Sequence, residues 1–357
     1  METQKLVAHS RPAPKVPAFG TLYDMKKNSK LYETAATLLE PGKGILAADE
    51  SDPTAGKRLA MVHLPNEPEH RQKFRELMFT APEIEKYVSG VILYDSTIKN
   101  TTTDGIPFAD VLIAKGIIPG IKVDLGVRDL EGFKDEVVTQ GLDNLAERFA
   151  EYYDMGARFA KWRAVITIDE DERPTEQAIK MNSVMLARYA QIAQASNIVP
   201  IVEPEVIHAG DHSLQKAEMV TTRTLQILFQ TLIEYKVDLS GLILKSSMVL
   251  AGDGYTEQTP PDEVANATLR TFHMSVPYEC AGIVFLSGGQ SPQRATDNLN
   301  AVAKLGEQPW PITFSFSRAI EEPFLNAWGG KPENEEAAKQ VLTETVKKNS
   351  LASLGKL

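Results

Sequence analysis

The sequence predicts a (β/α)8 barrel, an α/β fold in which eight parallel strands close on themselves inside a ring of helices. Two observations carry that expectation, and a third bounds it. Eight short apolar runs recur along the 357 residues, each ending on a polar or charged residue. Near-continuous apolar strands of this kind mark a parallel sheet covered on both faces. Between the runs lie segments of helix length, and alternation of strand and helix is the signature of βα units. No Pro-, Gly- or Ser-rich linker divides the chain, so one barrel domain with extra terminal segments is expected over residues 21–357, preceded by a flexible arm over 1–20.

The elements follow in order. The first three runs are GILAAD at 44–49, GVILYD at 90–95 and GIKVD at 120–124. Leu142, Leu145, Phe149 and Tyr152 or Tyr153 recur at helical spacing before the fourth run, ARFAKWR at 157–163. A long helical pattern opens at Pro174-Thr175-Glu176 and reaches Ala195, ahead of VPIVE at 199–203. A further helical stretch over 211–236 precedes GLILK at 241–245. TPPDE at 259–263 places proline and acids in a first helical turn, a strong start signal. GIVFLS at 282–287 and PITFS at 311–315 complete the eight, and two helical stretches finish the chain.

Composition is that of an ordinary globular protein, with 43% apolar and 24% charged residues. The net charge of -10 argues against a generally basic nucleic-acid-binding surface, though it leaves room for local cationic pockets. A single cysteine, Cys280, permits no internal disulfide and fits a reduced compartment. No apolar run approaches the ~18 residues of a membrane span. The first twenty residues carry charges and prolines and lack the apolar stretch of a signal peptide. A cytoplasmic protein without nucleic-acid or membrane partners is expected.

The most informative residue is Lys245, which closes the sixth apolar run. A buried lysine is rare unless it is paired or used. Desolvation favours the neutral amine, a nucleophile toward carbonyls. The competing reading is a strand-end lysine that leans out to solvent. The other strand ends weigh against it: Asp49, Asp95, Lys122, Asp124, Lys161, Arg163, Glu203, Glu205, Ser287, Ser315 and Arg318 all fall where barrels keep their catalytic groups. If consecutive strands are neighbours, Glu203 stands between Lys161 and Lys245. That set supplies an amine and an acid/base for carbinolamine chemistry, and two adjacent lysines are expected to lower each other's pKa. A purely structural ion network is the alternative.

Two groups read as anion sites. Ser287-Gly288-Gly289-Gln290-Ser291 leads from the seventh strand into a helix, and Arg318 follows the eighth; barrels often bind phosphate between these loops. Across the mouth, Ser51, Thr54, Lys57 and Arg58, with Lys122 near, form a candidate second site, against the plainer reading of a solvated helix start; Arg163 is a further candidate for substrate binding. His208 and His212 resemble a pair of metal ligands, but Gly210 makes the segment a loop and no third ligand is near in sequence, so no metal site is expected.

On these residues the chain closely resembles the class I fructose-bisphosphate aldolases. The blocks are GKGILAADES at 42–51, GIKVD at 120–124, FAKWR at 159–163, IVEPE at 201–205, LK at 244–245, FLSGGQS at 285–291 and TFSFSR at 313–318. The resemblance implies reversible cleavage of fructose 1,6-bisphosphate to dihydroxyacetone phosphate and glyceraldehyde 3-phosphate, in glycolysis and gluconeogenesis, with no metal or other cofactor and commonly as a tetramer. It makes Lys245 the Schiff-base lysine. Glu203 becomes the acid/base that dehydrates the carbinolamine, supported by Glu205. Asp49 takes the hydroxyl proton as the carbon–carbon bond breaks, and Lys161 sustains the charge pattern. Ser287, Gly288, Ser315 and Arg318 match one phosphate site; Ser51, Thr54 and Lys122 match the other.

Three departures accompany the resemblance. Thr54 stands where many members have serine, and Ser317 where the family commonly has glycine. The sequence stops at Leu357, where many eukaryotic members begin a tail closing on a tyrosine that assists enamine protonation. The expectation is a slower protonation step or another proton donor. Two other functions remain open on the sequence: a Schiff-base barrel for a different sugar phosphate, and a barrel kept as a binding scaffold.

Overall fold

The computed structural model describes residues 29–169 and 171–357; the arm expected over 1–20 lies outside the described residues. Among the described residues ten strands form: β1 (Gly44–Ala48), β2 (Val88–Leu93), β3 (Ile118–Lys122), β4 (Val127–Asp129), β5 (Val137–Thr139), β6 (Phe159–Ile166), β7 (Val199–Val206), β8 (Ile243–Ser246), β9 (Gly282–Phe285) and β10 (Ile312–Phe314). Eight of them make one sheet in the order β1-β2-β3-β6-β7-β8-β9-β10, with parallel pairing throughout. The ends of that order meet: the Ala47 amide donates to the Phe316 carbonyl at 3.0 Å, and the Thr313 hydroxyl donates to the Lys43 carbonyl at 2.6 Å. The sheet therefore closes into the expected (β/α)8 barrel, and all eight expected strands are present in sequence order.

Helices follow the expected starts. The Thr175 hydroxyl accepts the Ala178 amide at the head of Glu176–Ala195, and the Ser291 hydroxyl accepts the Arg294 amide at the head of Pro292–Lys304. Pro261–Ser275 begins with proline and carries Asp262 and Glu263 in its first turn, where acids complement the helix dipole. Helices Arg318–Trp328 and Glu335–Ser353 end the chain.

Boundaries differ where polarity is misleading. β6 and β7 run on past Arg163 and Glu203 to pair Ile166 with Val206. A charged residue reads as a strand end in sequence, but here it faces a polar cavity inside the barrel and the ladder continues behind it. β8 begins only at Ile243, because Gly241 belongs to a 3-10 turn whose Ser240 amide is held by the Asp238 carboxylate at 2.9 Å. The antiparallel pair β4–β5 has no counterpart in the sequence expectation; three residues per strand are too few for a periodic signal.

The helix Ser29–Leu38 is also an addition to the expected array. Its Leu31, Ala35 and Leu38, with Leu39, pack on Ile45, Ile92, Phe159, Val199, Ile201, Ile243 and Val284, the side chains that point inward near the strand starts. It plugs the amino-terminal end of the barrel. Glycines make the space: a Cβ at Gly120 would lie 2.3 Å from the Phe159 ring, and one at Gly90 2.6 Å from Leu38. The larger apolar layer lies outside the strands, between sheet and helices. Cys280 is buried beneath it, its thiol 3.6 Å from the carbonyls of Leu242 and Gly282. Among the described residues no helix is long and apolar enough to cross a membrane.

Candidate active site

Strand parity sets the site. Along β6 the inward positions are Phe159, Lys161 and Arg163; along β7 they are Val199, Ile201, Glu203 and Glu205; on β8 they are Ile243 and Lys245. Each strand is apolar inside at its start and ionic inside at its end. The ionic ends line one cavity of about 340 Å³ at the carboxyl-terminal mouth. Asp49, Ser51, Thr54, Lys122, Lys161, Arg163, Glu203, Glu205, Lys245, Ser287, Gly288, Ser315 and Arg318 all border it.

Glu203 is the hub. Its Oε1 lies 3.0 Å from Lys245 Nζ and its Oε2 3.0 Å from Lys161 Nζ, while Lys161 Nζ also reaches Asp49 Oδ2 at 2.7 Å. Each of these four residues is at most 8% exposed. Burial works against the Glu203 carboxylate, but the Lys161, Lys245 and Arg163 cations outweigh it and hold the group down to about 2. Burial likewise opposes the Lys161 ammonium, yet Asp49 and Glu203 prevail and hold it above the ordinary lysine range. The mutual lowering expected of two adjacent lysines is therefore corrected for Lys161: two carboxylates flank it and their attraction exceeds the repulsion. Arg163 is bound to Glu205 by a short charged hydrogen bond that keeps both in fixed orientation.

At the end of β9 and β10 several donors have no protein acceptor. Arg318 forms no ion pair among the described residues and lies against Gly289, its Nη2 3.5 Å from where a Cβ there would stand. The Ser315 hydroxyl is buried without a hydrogen-bond partner. Gly288 and Gly289 hold φ of +51° and +88°, a conformation that glycine adopts without strain and that turns successive amides to one side. Across the mouth, Ser51 and Thr54 hydroxyls stand 3.1 Å apart, and Lys122 is paired with Asp124 at 2.6 Å. The lining holds six cationic against four anionic side chains, in a chain of net charge -10. It is a cationic pocket on an acidic protein, suited to an anion at each end.

Some residues fall elsewhere. Lys57 is exposed and does not line the cavity; Arg58, one position on, does. Asp95 starts the short helix Asp95–Ile98 and is occupied by the Tyr152 hydroxyl at 2.7 Å and by Lys99 at 2.6 Å. Asp124 is buried behind the wall, where it accepts the Arg163 amide at 3.2 Å. His208 and His212 border a small neighbouring cavity, and among the described residues they belong to no group of three or more potential metal ligands. One charged lining residue, Glu50, went unassigned in the sequence. Glu50 directly follows Asp49, and alternation alone would send it outward; the strand has ended there, at Ala48, so parity no longer applies.

Comparisons with known proteins point to one family. Residues 30–357 match the family described as fructose-bisphosphate aldolase class-I. A fructose-bisphosphate aldolase of Echinococcus multilocularis is 47% identical over 93% of this chain and 92% of that protein. Fructose-bisphosphate aldolase 5, cytosolic, of Arabidopsis thaliana is 48% identical over 93% of this chain and 92% of its own. The solved structure of fructose-bisphosphate aldolase from Plasmodium falciparum, in complex with TRAP and a small-molecule inhibitor, superposes with a TM-score of 0.91 at 45% identity, covering 92% of this chain and 95% of that one.

Proposed function

The chain belongs to the class I fructose-bisphosphate aldolases, and on that premise we propose that Lys245 is its covalent residue and Glu203 the acid/base that serves it. The enzyme is a lyase of glycolysis and gluconeogenesis that cleaves fructose 1,6-bisphosphate reversibly. The observation that carries the assignment is the bridging of Lys161 and Lys245 by one buried carboxylate. As an amine, Lys245 Nζ adds to the substrate carbonyl carbon, and the carbonyl oxygen becomes the carbinolamine hydroxyl. The proton that Lys245 sheds to become an amine passes to Glu203, 3.0 Å away, and Glu203 delivers it to the departing hydroxyl, which leaves as water.

The low value of Glu203 is compatible with that step, because it depends on its neighbours. When the ammonium of Lys245 is replaced by a neutral carbinolamine nitrogen, one attracting cation disappears. Burial, the largest influence and an opposing one, then gains weight, and Glu203 holds a proton more readily until it is delivered. Formation of the iminium restores a cation and favours the carboxylate again. Asp49 accepts the hydroxyl proton as the carbon–carbon bond breaks, its own place fixed by Lys161. The bond electrons move into the iminium, which becomes an enamine. Glu205 orients Arg163 at the cavity wall.

The unpaired donors of Ser315, Gly288 and Arg318, joined by Ser287, take one phosphate of the substrate. Ser51, Thr54, Lys122 and Arg163 take the other. Borohydride reduction in the presence of dihydroxyacetone phosphate tests the covalent step. A stable adduct on Lys245, absent from Lys245→Met, is expected; an adduct on another lysine, or none, rejects the mechanism.

A cytoplasmic location is supported by the Arabidopsis relative named cytosolic and fits the free single cysteine. By family resemblance the assembly is a homo-oligomer, a tetramer. Light scattering distinguishes this from a 39.3 kDa monomer.

A further inference from the structure

The seam where the barrel closes is held differently from its other walls. β1 and β10 stand at the two ends of the strand order, and their junction rests on single bonds such as Ala47 to Phe316. Above that bond, at the cavity rim, a side-chain network takes over. The Ser317 hydroxyl donates to Glu50 Oε1 at 2.6 Å and lies 3.4 Å from Glu321 Oε2, bridging 267 residues of sequence. Ser317 occupies the N-cap position of Arg318–Trp328, yet its side chain caps no amide of that helix. Its hydroxyl is committed across the seam.

The acceptor is rigid. Arg75 clamps both acids, donating from Nη2 to Glu50 at 2.7 Å and from Nη1 to Glu321 at 3.1 Å, and its guanidinium sits 4.7 Å from the centre of the Phe74 ring. Arg58 Nε adds a weaker approach, 3.7 Å from Glu321 and 3.9 Å from Glu50. Arg75 and Glu321 are almost fully buried, at 2% and 0% exposure. Ser317 has φ of -108°, so its backbone lies outside the left-handed region that favours glycine. What fixes this turn is the hydroxyl, not a glycine.

We propose that Ser317 is a positioning residue: its bond to the Glu50–Arg75–Glu321 network holds the turn that aims Arg318 into the cavity, and so sets the affinity for the phosphate bound there. The proposal rests on the reading of Arg318 as a phosphate ligand. Glu50 follows Asp49 directly, so the same bond ties the phosphate turn to the strand end that carries the proton acceptor. Loss of the hydroxyl is expected to loosen phosphate binding more than it slows bond cleavage.

The test is inorganic phosphate binding by calorimetry, with steady-state cleavage of fructose 1,6-bisphosphate, on the intact enzyme and on Ser317→Ala, Ser317→Gly, Ser317→Thr and Arg318→Ala. Ser317→Ala and Ser317→Gly are each expected to raise the phosphate Kd and the KM about tenfold, the size of one hydrogen bond to a charged group, with kcat changed less than about threefold. Ser317→Thr, which keeps the hydroxyl, is expected to restore both. Should Ser317→Ala fail to fold, Ser317→Gly, which adds no atoms, carries the measurement. If Arg318→Ala weakens phosphate but neither hydroxyl-free variant does, Ser317 has no positioning role. If Arg318→Ala itself leaves phosphate binding unchanged, the phosphate assignment falls and this proposal with it.

Discussion

Glu203 carries two opposite cations on its two oxygens, and that single fact governs how the site responds to substitution and to pH. Glu203→Gln keeps the shape and removes the charge. It is expected to lower kcat by about 100-fold or more, the usual loss when a general acid/base is removed. A variant retaining kcat within about tenfold in steady-state assays would remove Glu203 from the dehydration step. The pH dependence has a definite sign. A carboxylate held at about 2, against an ordinary 4.5, stabilises the folded chain above the ordinary value, and the contribution disappears as pH falls from about 4.5 toward about 2. Melting temperatures recorded down that window should fall less steeply in Glu203→Gln than in the parent protein.

Much of this was legible in the sequence, because Lys161, Glu203 and Lys245 lie at or near the ends of apolar runs on neighbouring strands and parity turns them to one side. The direction of the Lys161 shift was not, since it depends on two carboxylates within 3.0 Å, one just past the end of β1 and one on β7. Nor was the bond from Ser317 to Glu50, which no local pattern can announce across 267 residues.

At the scale of elements, small residues in the strands decide where the plug and the large rings fit. The space beside Gly120 is filled by Phe159, so Gly120→Ala drives a methyl into the ring at 2.3 Å. Overpacking of this kind costs about 1–3 kcal/mol. Urea denaturation should show that loss, and Phe159→Leu in the same chain should recover part of it. An unchanged midpoint for Gly120→Ala would mean the lower barrel is looser than this packing implies. Strand existence was readable from the apolar runs and helix starts from Thr175, Ser291 and Pro261. The hairpin β4–β5 was too short to register, and the helix Ser29–Leu38 falls before the first strand, outside the alternation that identified the rest.

Taken whole, the molecule divides its two ends. The amino-terminal end is closed by Leu31, Leu38, Leu39 and the inward apolar side chains; the carboxyl-terminal end is open, ionic and lined by loops. The division is legible in sequence, since each run is apolar along its length and ends on a polar or charged residue.

The lone thiol follows from that construction. Cys280 is 4% exposed, and burial pushes it up to about 12. A thiol that is neither accessible nor ionised cannot react from the native state, so its chemistry becomes a clock for opening of the chain. A thiol-specific chromophore added to the folded enzyme should label one site per chain, at a rate set by unfolding and independent of reagent concentration when reagent is plentiful. Labelling that instead rises in proportion to reagent, with activity intact, would reveal a local opening beneath β8 and β9. Stability could then be timed continuously in working enzyme, without a denaturant and without a probe that the chain does not already carry.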